Sequence, residues 1–195
     1  RKFGSALAEG KIIVNGDELR AVRNRYLNEI KKLSVGRPFV TDKMPSNFFL
    51  IGLICSTLPE AKIVHVKRNA AATCWSNFKH RFSAKELGYS YDLLDVVLYY
   101  QMYQKLMLFW DKRYPGKIYH LDYEKLTTDQ ESETKKLIQY LEIDWEETCL
   151  FPERNKRFVE TASSMQVRGK VYKGSSEEWK KFEKYLERAF DELSN

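Results

Sequence analysis

The stretch from Lys62 to Phe78, KIVHVKRNAAATCWSNF, limits what this chain can fold into more than any other segment. Ile63-Val64-His65-Val66 is short, mostly β-branched and apolar, the pattern of a buried strand. Lys67 and Arg68 follow at its carboxyl end. Asn69, a good helix N-cap, then opens a helix that runs to about Phe82 and carries Ser76. A strand that hands two cations to a helix N-terminus is a building block of α/β proteins, where ligands sit outside the carboxyl ends of the strands.

The rest of the chain repeats that alternation. A helix is expected from Asp17, as cap, to about Leu33, with Leu19, Val22, Tyr26, Ile30 and Leu33 on one face. Phe39 to Thr41 is a short strand candidate ending at Asp42-Lys43, and a helix follows from about Asn47 to Thr57. A long helix from about Tyr91 to Tyr114 has Leu94, Leu98, Met102, Leu106 and Phe109 as its apolar stripe, and Pro115-Gly116 ends it. Lys117 to Asp122 reads as a third strand, Glu131 to Leu141 as a helix, and Glu177 to Leu193 as the last helix, striped by Trp179, Phe182, Leu186, Phe190 and Leu193. Strands separated by helices imply right-handed crossovers and a mostly parallel sheet flanked by helices. The polar strand ends Asp42-Lys43, Lys67-Arg68 and Asp122-Tyr123 would then share one edge of that sheet. At 195 residues the chain reads as one domain spanning 1–195.

A second segment, Thr161 to Trp179 (TASSMQVRGKVYKGSSEEW), is hydroxyl-rich and basic and leads into the last helix. Cations at a strand end, a helix N-terminus and a basic loop together suit a phosphorylated nucleotide. The formal charge of +6 also favours an anionic partner. A nucleic-acid polymer is disfavoured, because basic and acidic residues are interleaved. No apolar run is long enough to span a bilayer. Cys55, Cys74 and Cys149 are odd in number, widely spaced and set among apolar residues, which suits buried thiols in a reducing, cytoplasmic compartment and gives no metal-ligand spacing.

Arg68-Asn69-Ala70 with Ser76 eight residues after the Arg, Gln166-Val167-Arg168-Gly169-Lys170 ahead of Trp179, and Thr41-Asp42-Lys43-Met44-Pro45-Ser46-Asn47-Phe48 resemble motifs of the sulfotransferase family. They are most similar to its tyrosylprotein branch and to bacterial relatives that often carry tetratricopeptide repeats. The resemblance covers about Asp17 to Leu186. It implies a P-loop nucleotide-hydrolase-like three-layer fold and transfer of a sulfuryl group from 3'-phosphoadenosine-5'-phosphosulfate (PAPS), leaving 3'-phosphoadenosine-5'-phosphate (PAP). By that likeness Arg68, Ser76 and His80 meet the nucleotide 3'-phosphate and Tyr123 contacts the nucleotide. Ser163, Gln166, Val167, Arg168, Gly169 and Lys170 form the loop that closes over it. A planar guanidinium matches phosphate oxygens, and Ser76 lies two turns into its helix, ~10 Å along the axis.

The resemblance also implies the catalytic pair Lys43 and Ser163, with no metal. Charge builds on the oxygen that departs with the 5'-phosphate, and an ammonium there favours the transition state over the ground state. Thr161 and Ser164 compete with Ser163 for its role, and an aromatic at Tyr123 is as often plain packing. The small-molecule branch places a His two residues after the Lys; here Pro45 stands there, which favours the tyrosylprotein-like branch and its Glu base.

Two family features are missing from the sequence. The 5'-phosphosulfate loop and its preceding strand are expected upstream of Arg1, as is the Glu base; partner exchange or a homodimer is one way to fill the gap in the sheet. Glu178 stands where relatives tend to have a cation, with Lys180 expected to compensate. A truncated, inactive PAP- or PAPS-binding or interaction domain of the same fold is therefore the alternative to an active enzyme. A kinase would need a Gly-x-x-x-x-Gly-Lys-Ser/Thr loop, which is not present. The acceptor is open between an acidic peptide or protein tyrosine and a small hydroxyl compound. A Golgi lumen replaces the cytoplasm if the source is eukaryotic.

Overall fold

The computed structural model describes residues 15–82, 85–155, 169–186 and 188–193, without the side chains of residues 85 and 86. Ser163, Gln166, Val167 and Arg168, with the competing Thr161 and Ser164, lie outside the described residues. The chain divides between Ala61 and Lys62 into two compact units.

In the first unit, helix α1 (Gly16–Ser34) starts two residues earlier than the sequence suggested. Asn15, and not Asp17, is the cap. Its side chain accepts the Glu18 N–H at 2.9 Å, and the Glu18 carboxylate accepts the Asn15 N–H at 2.9 Å, a reciprocal capping box. A 3₁₀ turn (Pro45–Leu50) runs into α2 (Ile51–Thr57), together replacing the single helix expected from Asn47. Arg23 ties α1 to the end of α2. Its guanidinium forks onto Glu60 at 2.9 and 2.6 Å and donates to the Thr57 carbonyl at 2.8 Å. Phe39 to Thr41 is not a strand. Among the described residues it has no neighbour to pair with, and β propensity alone does not make a strand. Phe39 stays exposed.

The second unit is built on two parallel strands, β1 (Ile63–Lys67) and β2 (Ile118–Asp122), paired in register from Ile63 with Ile118 to Lys67 with Asp122. Between them come α3 (Ala70–Lys79), a 3₁₀ turn (Lys85–Tyr91) and α4 (Leu93–Arg113). Asn69 caps α3 by accepting the Ala72 N–H at 2.9 Å. Asp92 caps α4 through the N–H groups of Leu94 and Asp95. A turn from Tyr114 to Lys117 ends α4, closed by the Lys117 N–H on the Tyr114 carbonyl at 3.1 Å. Gly116 takes φ 73° at its third position, which Gly adopts without cost after Pro115.

After β2 the chain turns at once into α5 (Tyr123–Thr128), capped by Asp122, and then α6 (Gln130–Leu141), capped by Asp129. Short 3₁₀ turns follow at Glu147–Leu150 and Pro152–Arg154, with a longer 3₁₀ stretch at Ser175–Tyr185 where the last helix was expected. Tyr140 of α6 pins the start of both strands. Its hydroxyl accepts the Ile63 N–H at 3.1 Å and lies 2.9 Å from the Lys117 carbonyl.

Helix α4 faces the opposite way from the sequence expectation. Val96, Val97, Tyr100 and Met107 are its buried residues, while Leu94, Leu98, Met102 and Phe109 are exposed. The helix is apolar nearly all round, so periodicity did not single out one face. The buried side meets Ala70, Ala71 and Cys74 of α3 and Leu186 and Phe190 near the carboxyl end, with Trp179 and Leu193 packed on the cluster. Burial holds the Cys74 thiol protonated, its pKa pushed up to about 12. All three cysteines are free. No helix among the described residues is long and apolar enough to cross a membrane.

Candidate nucleotide site at the strand ends

Parallel pairing in register brings Arg68, just after β1, beside Tyr123 and Glu124, just after β2. Arg68 meets the Tyr123 ring with its guanidinium carbon 5.1 Å from the ring centroid. Its Nε–H donates to Ser176 Oγ at 3.0 Å and its Nη2 to the Ser175 carbonyl at 2.7 Å. The Tyr123 hydroxyl lies 3.0 Å from Ser175 Oγ. Thus the first residues of the Ser175–Tyr185 stretch are stitched onto both strand ends.

A guanidinium has five N–H groups. Those turned toward Ser175 and Ser176 occupy one edge, and among the described residues nothing takes a hydrogen bond from the others. Arg68 is therefore held by a side edge and a face.

Glu124 completes the cluster. Its two oxygens accept the Asn69 N–H at 3.2 Å each, and one accepts the Ser176 hydroxyl proton. The carboxylate sits where the chain passes from β1 into α3. Next to it, Lys79 donates to Glu178 at 2.9 Å and holds that carboxyl below its usual range, with Lys181 and Arg68 adding to the effect. Lys180, from which compensation is expected, pairs its ammonium with Glu177 on the same 3₁₀ stretch.

The other expected site residues are distributed as follows. Ser76 is half-buried on α3, and its carbonyl lies 2.7 Å from His80 Nδ1, so the imidazole donates there and closes the end of that helix. Gly169 and Lys170 are exposed and take no part in the hydrogen bonds of Arg68. Lys43 is an exposed residue of the first unit. Its neighbour Asp42 accepts the Tyr26 hydroxyl at 2.8 Å; burial first, and Asp42 second, push that phenol up to about 12. Asn69, Glu124, Ser175 and Ser176 were not singled out as site residues from the sequence. The signal for Glu124 was its place directly after the polar strand end Asp122-Tyr123, and for the serines their place at the start of the last helix.

A second polar cluster lies on the sheet face covered by α4. His65 and His120 face each other with their Nδ1 atoms 2.8 Å apart. His65 Nε2 bonds the Tyr103 hydroxyl, and His120 Nε2 lies 2.9 Å from Asp111. One proton arrangement satisfies every atom: Tyr103 O–H to His65 Nε2, His65 Nδ1–H to His120 Nδ1, and His120 Nε2–H to Asp111. The His65 pKa is lowered to about 4, by burial first and by His120 and Lys67 as well, with Asp111 opposing them.

A family model described as the sulfotransferase family matches residues 16–147, which include β1, Arg68, Tyr123 and Glu124. An uncharacterized protein of Aquifex aeolicus (strain VF5) is 38% identical over 170 residues, covering 86% of this chain. The matched region is 22% of that relative, so the chain spans about a fifth of its length. With both strands and the residues that directly follow them inside the matched region, the chain belongs to the sulfotransferase family.

Proposed function

We propose that this chain binds the nucleotide of PAPS at the carboxyl ends of β1 and β2 and takes part in sulfuryl transfer to an acceptor hydroxyl. The observation that carries the reading is the state of Arg68, fixed by Ser175, Ser176 and Tyr123 with its outer edge unspent. A fixed guanidinium binds a phosphate with less loss of freedom than a mobile one. Tyr123 offers an aromatic surface beside it.

The residues present fit such a donor. Arg68 takes the 3'-phosphate, with Ser76 and His80 further along α3, and Tyr123 lies against the nucleotide. The segment Ser163, Gln166, Val167, Arg168, Gly169 and Lys170 closes over it. The donor supplies an activated sulfuryl group. Lys43 neutralises charge on the oxygen that leaves with the 5'-phosphate, and Ser163 assists by hydrogen bonding. The acceptor's proton leaves to a base as its oxygen attacks sulfur. The charge of +6 supports an acidic peptide, with tyrosine as the acceptor, over a neutral small molecule.

Thermal unfolding with millimolar PAP tests the reading, because a ligand at 100 times its dissociation constant stabilises by about 2.7 kcal/mol. The expected result is a raised melting temperature without added metal, lost in Arg68→Ala. No shift in the wild type, or an equal shift in the variant, overturns the assignment. Transfer of labelled sulfate to a tyrosine-containing acidic peptide then separates an active enzyme from a protein that only binds.

A further inference from the structure

Ser176 has one hydroxyl proton and two lone pairs, and the structure shows where each is directed. The proton goes to Glu124, and the oxygen accepts Nε–H of Arg68 at 3.0 Å. Ser176 is buried, so this polarity is not averaged away by water. Were Glu124 absent, the hydroxyl would be free to rotate and turn its proton toward the guanidinium, where it can make no bond. The same carboxylate holds the Asn69 N–H with both oxygens at 3.2 Å. One acidic group thus fixes the backbone next to Arg68 and the acceptor that orients its side chain.

We propose that Glu124 is a positioning residue of the nucleotide site: by holding Ser176 and the Asn69 amide it orients Arg68 so that the outer edge of the guanidinium faces the ligand phosphate. This rests on the nucleotide reading above. It explains why a negative group stands beside a site for an anion. Glu124 spends its charge inward on two donors, and its effect on the ligand passes through the arginine. No group is transferred and no bond is made or broken in this role.

The test uses the full chain with Glu124→Ala, Glu124→Gln and Ser176→Ala. The Arg68 Nε–H is followed by NMR, and PAP binding by calorimetry. In the wild type the Nε–H exchanges slowly with solvent. Glu124→Ala and Ser176→Ala speed that exchange and weaken PAP binding about tenfold, the effect of losing roughly one charge-assisted hydrogen bond. Glu124→Gln keeps an oxygen for Ser176 and retains slow exchange and most of the affinity. Should Glu124→Ala unfold the chain, the Gln and Ser176 variants still decide: fast exchange in Glu124→Gln with unchanged folding contradicts the role. PAP affinity in Glu124→Ala and Ser176→Ala equal to that of the wild type overturns the positioning role alone. A wild type that binds no PAP overturns the nucleotide reading and this proposal with it, whatever the exchange rates show.

Discussion

His65 and His120 occupy register-matched positions on β1 and β2 and hold one proton between their Nδ1 atoms, 2.8 Å apart. The chain of bonds continues to Tyr103 on one side and Asp111 on the other, so the pair is a polar strut between the sheet and α4. A doubly protonated pair would set two N–H groups against each other and break it.

Stability should therefore depend on pH in a definite direction. The folded-state pKa of His65 is lowered from 6.5 to about 4. Its contribution is complete above pH 6.5 and is lost as pH falls from 6.5 toward 4, where the unfolded chain binds the extra proton. The ceiling is about 3 kcal/mol, reduced to about 1–2 kcal/mol because the ring is partly exposed. Denaturant melts between pH 4 and 7 should show this slope, and His65→Gln should flatten it. Parallel slopes for the two proteins would contradict the assignment.

Tyr140 should matter for the strand pair more than its place on a half-exposed helix suggests. Its hydroxyl meets Ile63, the first residue of β1, and Lys117, the residue just before β2. Tyr140→Phe should cost about 1 kcal/mol, the usual net value of such a bond. Faster hydrogen exchange at the Ile63 amide should accompany the loss. An unchanged amide would show that the hydroxyl contributes nothing.

The three thiols should react unequally. Cys74 is fully buried with its thiol held protonated, whereas Cys55 and Cys149 are partly exposed. Under native conditions iodoacetamide should label Cys55 and Cys149 well before Cys74, as read by peptide mass spectrometry. Cys74→Leu should destabilise by about 1–3 kcal/mol through overpacking against α4. Rapid native labelling of Cys74 would contradict its place in the core.

Arg68→Lys should behave almost like Arg68→Ala in PAP stabilisation. A lysine ammonium cannot meet Ser175 and Ser176 as a planar fork and still offer a second edge. Loss of about tenfold or more in affinity is expected, roughly 1.4 kcal/mol. Calorimetric binding by the Lys variant at wild-type strength would show that a point charge is enough.

Much of the second unit was readable because its signals are local. The β-branched run Ile63-Val64-His65-Val66 named β1, and Asn69 marked the start of α3. Asp122 and Pro115-Gly116 bounded β2. Phe39 to Thr41 has similar composition yet no pairing partner, and partnership cannot be read from a single segment. Helix α4 misled because apolar residues surround it, so Leu94 and Leu98 looked as fit for the core as Val96 and Val97. Glu124 stayed hidden because its partner Ser176 is 52 positions away. A lone Glu on a short helix has no period to betray it.

Lys67 and Asp122 are register partners, and the contact residues follow each of them immediately. The spacing of the site is thus inherited from strand alignment and, through it, from the length of the turn at Pro115-Gly116. One extra residue inserted before Ile118 would move Tyr123 and Glu124 away from Arg68 while leaving every one of these side chains intact. Evolution and engineering can exchange much around these strand ends, but the count of residues between α4 and β2 is a dimension of the cluster itself.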